Sequence, residues 1–135
     1  MIVVDTSAVI AILLNEPLGA ACLECLITAD EVALSAGTFV ELRIVASSSE
    51  LRRMTDALFE EISPQVVPVS REFAEQVGSN YRVWGKGFHN AKLNMGDVYA
   101  YTLALQLSAP LLFIGKDFSQ TDIKSVLENP DPERA

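Results

Sequence analysis

Ile2-Val3-Val4-Asp5-Thr6-Ser7-Ala8-Val9-Ile10-Ala11-Ile12-Leu13-Leu14 is the stretch whose reading decides the fold. Its first three residues are β-branched and apolar, which suits a short buried strand. The apolar run after Asp5-Thr6-Ser7 reads as a helix, with Thr6 or Ser7 as the expected cap. A strand that turns within three residues into a helix opens a βαβ unit, whose strands lie parallel in a sheet covered by helices. The same turn leaves an acid, Asp5, at the carboxyl end of the first strand, where open α/β sheets bind their ligands.

Outward from this stretch the alternation continues. A second helical segment runs to about Thr28, Glu31 to Leu34 reads as a strand, and Ser35 caps a third helix. A fourth helix is expected from Glu50 to Ile62, a strand from Gln65 to Val69, and a helix opened by Ser70 that reaches Tyr81 or Trp84. The break Gly85-Lys86-Gly87-Phe88-His89-Asn90 precedes a nearly all-apolar helix, Met95 to Leu107, which must be buried on most sides. Leu111 to Ile114 is the last clear strand, followed by a loop, a short helical turn and an edge segment up to Val126. These elements predict one α/β domain over residues 1–127, a three-layer α/β/α sandwich on a mostly parallel sheet, with residues 128–135 as a frayed tail.

Composition narrows the function classes. Half of the 135 residues are apolar, enough for a core without disulfides. The longest apolar run, Ala8 to Leu14, falls far short of the roughly 18 residues a membrane span requires. The N-terminus lacks the basic segment of a secretory signal, so the expected location is cytoplasmic, with no membrane partner. Cys22 and Cys25 supply only half of a tetrahedral zinc site and read as buried free thiols. A net charge of −8 opposes loose binding of nucleic acid, unless much of it is gathered around a cation.

Four acids are placed for that. Asp5 and Asp117 follow the first and last strands, Glu41 lies two turns into the third helix, and Asp97 sits in the first turn of the buried helix. Each has a bland alternative. Asp97 fits a capping box with Asn94, Asp117 fits D-x-x-Q with Gln120, Glu41 suits a solvated helix face, and Asp5 suits a turn. Taken jointly, unpaired charges among apolar neighbours are costly, and four converging carboxylates without histidine or cysteine select Mg²⁺ or Mn²⁺ over zinc. A phosphoacceptor receiver would need a second acid beside Asp5, and a haloacid-dehalogenase-like phosphatase would need D-x-D where Asp5-Thr6-Ser7 stands.

Four segments, in order along nearly the whole chain, resemble the PIN-domain ribonucleases and, among them, the VapC toxins of toxin–antitoxin pairs. They are Val3-Val4-Asp5-Thr6-Ser7-Ala8, Phe39-Val40-Glu41, Leu93-Asn94-Met95-Gly96-Asp97 with Tyr99 to Ala104, and Leu111-Leu112-Phe113 with Gly115-Lys116-Asp117-Phe118 and Thr121-Asp122-Ile123. The resemblance implies an Mg²⁺- or Mn²⁺-dependent endoribonuclease whose acidic quartet is Asp5, Glu41, Asp97 and Asp117, with the hydroxyl near the first acid being Thr6 or Ser7. It further implies an RNA substrate such as tRNA, products with 5′-phosphate and 3′-hydroxyl ends, a cognate antitoxin that neutralises the enzyme, and a homodimer. Lys116 and Lys86 are the expected contacts to the RNA backbone, and Asp122 either supports the site or only its turn. Ile12, Leu13 and Leu18 are candidates for the surface that meets a partner. The loop from Gly85 to Asn90 departs from the family pattern at Phe88 and Asn90. The competing reading is a PIN-fold interaction protein with weak or no nuclease activity.

Overall fold

The computed structural model describes residues 1–133; Arg134 and Ala135, the end of the expected tail, lie outside the described residues. Ten elements follow in order: β1 (Ile2–Val4), α1 (Thr6–Leu13), α2 (Gly19–Thr28), β2 (Val32–Ser35), α3 (Ala36–Val45), α4 (Ser49–Ile62), β3 (Gln65–Val67), α5 (Arg71–Trp84), α6 (Met95–Leu107) and β4 (Leu111–Leu112). The four strands form one parallel sheet in the order β3-β2-β1-β4.

Alternation along the strands separates the two faces. On β1, Val3 joins Phe73 and Val77 of α5 and Val98, Tyr101 and Leu103 of α6 in one core. Val4, one residue on, points to the opposite core with Val9 of α1, Cys22 and Leu26 of α2, Leu42 of α3 and Leu58 of α4. The result is the three-layer α/β/α sandwich expected from the sequence. The connection from β1 to β2 runs over one face, and that from β3 to β4 returns over the other. The two therefore part at the carboxyl ends of β1 and β4, the switch point where such sheets open a crevice.

Close approaches fix the helices around this crevice. A Cβ on Gly19 would stand 2.4 Å from the Ala11 carbonyl oxygen, so only glycine lets α2 start against α1. Ser35, Ser48 and Ser70 cap α3, α4 and α5 through their hydroxyls, as serines at these positions favour. Cys22 is buried and its thiol is pushed up to about 12, chiefly by desolvation, so it serves as a small core residue.

Four expectations need correction. The cap of α1 is Asp5, whereas Thr6 and Ser7 already belong to the helix. β4 ends at Leu112, because the Ile114 N–H is taken by the Ser7 hydroxyl instead of a neighbouring strand. Leu13 is buried in the core under α1 and presents no surface to a partner. The segment expected to fray from residue 128 folds back as far as it is described. The Gly115 N–H donates to the Pro130 carbonyl at 2.9 Å, and Asp131 is buried. Pro130 and Pro132 limit what this segment loses in entropy when it docks.

Candidate active site

β1 ends in a residue that belongs to two structures at once. Asp5 caps α1 by accepting from the Ser7 N–H (3.1 Å) and the Ser7 hydroxyl (2.7 Å), both at Oδ2. The same hydroxyl accepts from the Ile114 N–H at 3.0 Å, so Ser7 ties the Asp5 carboxylate to the end of β4. Oδ1 of Asp5 is left buried with no hydrogen-bond partner among the described residues. Burial pushes Asp5 up to about 6, with repulsion from Glu41 adding to it and the Ser7 hydrogen bonds opposing it.

α6 brings the next acid. Asn94 and Asp97 form a reciprocal capping box: the Asp97 N–H donates to Asn94 Oδ1 (2.8 Å), and the Asn94 N–H donates to Asp97 Oδ2 (3.0 Å). The bland reading of Asp97 is therefore true, and it does not exclude the other. Burial pushes Asp97 up to about 7, against the Asn94 hydrogen bond and with repulsion from Asp5, Asp117 and Glu41. Asp97 thus feels the other three acids of the quartet, and Asp5 feels Glu41.

Glu41 reaches the site through a glycine whose role the sequence did not disclose. A Cβ on Gly96 would stand 2.0 Å from Glu41 Oε2, so the carboxylate of α3 lies in the space that any side chain at position 96 would occupy. Gly37, one turn earlier on α3, meets the Tyr99 ring of α6 in the same way. The signal was present as two glycines on facing helices, but their meaning needs the helix pairing. Gly96→Ala should leave the melting temperature unchanged or raise it slightly, since alanine favours a helix by about 0.5–1 kcal/mol over glycine. It should lower RNA cleavage at least tenfold by displacing Glu41. Thermal melts and cleavage rates on the same preparation check this, and an unaltered rate would contradict the placement of Glu41.

Asp117 is exposed on the turn after β4. It does not cap a helix: the turn is closed by the Ser119 N–H to the Lys116 carbonyl and the Thr121 N–H to the Phe118 carbonyl. Neither the Asp117 nor the Glu41 carboxylate has a hydrogen-bond partner among the described residues. Among those residues no three acidic, histidine or cysteine side chains are gathered closely enough to hold an ion as they stand. The donor set nevertheless suits a hard divalent cation: it consists of carboxylate oxygens, with the buried Asp5 Oδ1 unpaired and Asp97 Oδ2 alone committed to the capping box.

Of the remaining candidates, the Thr6 hydroxyl is buried beside Asp5 with no partner among the described residues, and Lys86 is exposed on the loop before α6. The Lys116 ammonium lies 3.3 Å from the Glu133 carboxylate and 4.0 Å from Asp131. Asp122 accepts from the Tyr101 hydroxyl, which in turn accepts from the Trp84 indole N–H, so it pins the turn after Asp117 to α6 and α5.

The PIN domain family matches residues 2–124. Ribonuclease VapC28 of Mycobacterium tuberculosis is 39% identical over 130 residues, covering 93% of this chain and 98% of that protein. Ribonuclease VapC42 of the same species is 37% identical over 126 residues, covering 90% and 96%. In three dimensions, VapBC2 from Rickettsia felis bound to a DNA fragment from its promoter superposes with a TM-score of 0.70 at 19% identity, covering 96% of this chain and 98% of that one. A toxin–antitoxin complex from Klebsiella pneumoniae gives 0.69 at 18% identity, covering 90% and 93%. These two likenesses are of fold. With the family matched from one end of the sandwich to the other and relatives 37–39% identical over nearly the whole chain, this chain belongs to the PIN-domain family and, within it, to the VapC ribonucleases.

Proposed function

We propose that this protein is a metal-dependent endoribonuclease toxin, held in check by a cognate antitoxin. The observation that carries the reading is the buried Asp5 oxygen that nothing among the described residues satisfies, at the carboxyl end of β1, together with the repulsion that Asp97 draws from Asp5, Asp117 and Glu41. Asp5, Glu41 and Asp97 would hold Mg²⁺ or Mn²⁺, with Asp117 completing the set. Glu41 and Asp117, tied by no hydrogen bond, are the two that turn to close it. When bound, the ion supplies an activated water and charge stabilisation at the phosphate. Ser7 keeps Asp5 oriented, the Asn94 box keeps Asp97 oriented, and the Thr6 hydroxyl lies within the same corner. Lys86 and Lys116 are the residues proposed to meet the RNA backbone, Lys116 after leaving Glu133.

RNA, with tRNA as one candidate, is the proposed substrate, and a second copy of the chain is a proposed partner. An apolar groove of about 610 Å³, lined in part by Val40, Ile44, Met95 and Tyr99, reaches Glu41 itself. The proposed antitoxin lies in it and covers the crevice. No helix among the described residues is long and apolar enough to cross a membrane, in keeping with a cytoplasmic location. Mapping of RNA ends after incubation with the purified protein tests the reading. New 5′-phosphate ends that form with Mg²⁺ and vanish with EDTA are expected, and intact RNA under both conditions would refute it.

A further inference from the structure

The loop between α5 and α6 is unlike the rest of this acidic chain. No aspartate or glutamate falls between Glu75 and Asp97, although the chain holds 18; three of its ten lysines and arginines (Arg82, Lys86, Lys92) and its single histidine do. Neither the Lys86 nor the Lys92 ammonium has an acidic partner among the described residues. Between the two lysines stands Phe88, 59% exposed.

An exposed phenylalanine alone needs no explanation. This one is held in place. The Phe88 and His89 N–H groups both donate to the Gly85 carbonyl (2.9 and 3.0 Å), and the Lys92 N–H donates to that of His89 (3.0 Å). The loop is closed by the Lys86 N–H to the Leu93 carbonyl and the Leu93 N–H to that of Trp84. His89 accepts from the Ala91 N–H at Nδ1 (2.9 Å) and packs edge-on against Trp84 at 4.7 Å. Tyr81 meets the Phe88 ring at 6.0 Å and 77°, which supports the ring from α5. An aromatic surface fixed in advance costs little entropy when it is covered. The residue after the closing Leu93 is Asn94, which caps α6 and holds Asp97. The loop therefore rises from the end of α6 that faces the crevice.

We infer that the Gly85–Lys92 loop is a clamp for single-stranded RNA beside the scissile bond, in which Phe88 stacks on an unpaired base and Lys86 and Lys92 hold the adjoining phosphates. This inference rests on the ribonuclease reading for its substrate class. The chemistry is that of single-strand binders, where cations track the backbone and aromatic faces accept any base. His89 is a positioning residue that fixes the loop on Trp84. Phe88 adds a preference for unpaired over paired segments, because a base inside a duplex offers no free face.

Binding of a labelled oligouridylate and of its abasic counterpart, measured by anisotropy in EDTA on the Asp97→Asn protein, tests this. Phe88→Ala should weaken the oligouridylate about 5- to 150-fold and the abasic oligomer far less. Phe88→Tyr should retain affinity, and Phe88→Trp should retain it with fluorescence that the oligouridylate quenches and the abasic oligomer does not. Lys86→Gln and Lys92→Gln should weaken both oligomers alike and flatten the salt dependence. Val83→Ala, an exposed neighbour on α5, should change nothing. Equal affinity of wild-type and Phe88→Ala backgrounds would overturn the inference. So would equal losses on both oligomers, or an effect of Phe88→Ala confined to self-association. If that happens while the wild type still cleaves RNA with Mg²⁺, the clamp falls and the ribonuclease reading stands. Base-dependent binding through Phe88 in a protein that cleaves no RNA would separate the two in the other direction.

Discussion

Asp97→Asn is expected to abolish RNA cleavage while leaving the protein folded. The amide keeps the shape of the capping box, because its oxygen still accepts from the Asn94 N–H and its backbone still donates to Asn94. It loses the charge at the point where repulsion from Asp5, Asp117 and Glu41 is felt. Loss of a metal-holding carboxylate removes several kcal/mol of transition-state stabilisation, so cleavage should fall on the order of 10³-fold or more. The melting temperature should change little. Cleavage rates with circular dichroism melts on the same variant check both halves, and a fully active variant at low Mg²⁺ would remove Asp97 from the site.

The second large effect is on stability without metal. Asp5 is fully buried, and its folded value of about 6 lies above its unfolded one of roughly 4. Between these values the folded state keeps a proton that the unfolded chain has released, so the apo protein loses stability as pH rises through this window. Asp97, held up to about 7, extends the loss by a further unit of pH. Asp5→Asn removes the first contribution while its side chain still accepts from Ser7. In EDTA it should be more stable than the wild type by roughly 3 kcal/mol at pH 8 and about half as much at pH 5. That corresponds to a rise on the order of 5–10 °C at pH 8. Urea unfolding at the two pH values measures it. A less stable Asp5→Asn protein at pH 8 would mean that the carboxylate is needed only as a cap.

The layers of the sandwich were legible because strand and helix periods alternate clearly. α6 was readable to the residue, since Asn94 and Asp97 mark its start and its apolar content forces it inside. Asp5 and Asp117 could be placed through one rule, that ligands lie at the carboxyl ends of parallel strands, whereas Glu41 and Asp97 lie on helices and were reached only through the joint pattern of acids and the family resemblance. What escaped depends on contacts between distant segments. Ser7 was one of two equal hydroxyls until Ile114 was seen to donate to it. Gly96 carried no meaning until α3 placed Glu41 against it. The short β4 and the docked Asp131 follow from bonds to Ser7 and Gly115 that local propensity does not encode. The groove beside Glu41 is lined by Val40, Ile44 and Met95, which would read as ordinary helix residues in a sequence.

The most direct measurement of the carboxylate metal site is the Mg²⁺ response of thermal stability in wild type, Asp5→Asn and Asp97→Asn, each melted in EDTA and in millimolar Mg²⁺. An ion that binds the folded site and not the dispersed acids stabilises by about 2.7 kcal/mol at a hundredfold excess over Kd. The wild type should gain that stability and both variants much less. Equal gains in all three proteins, or none in the wild type, would contradict a metal site built from these acids.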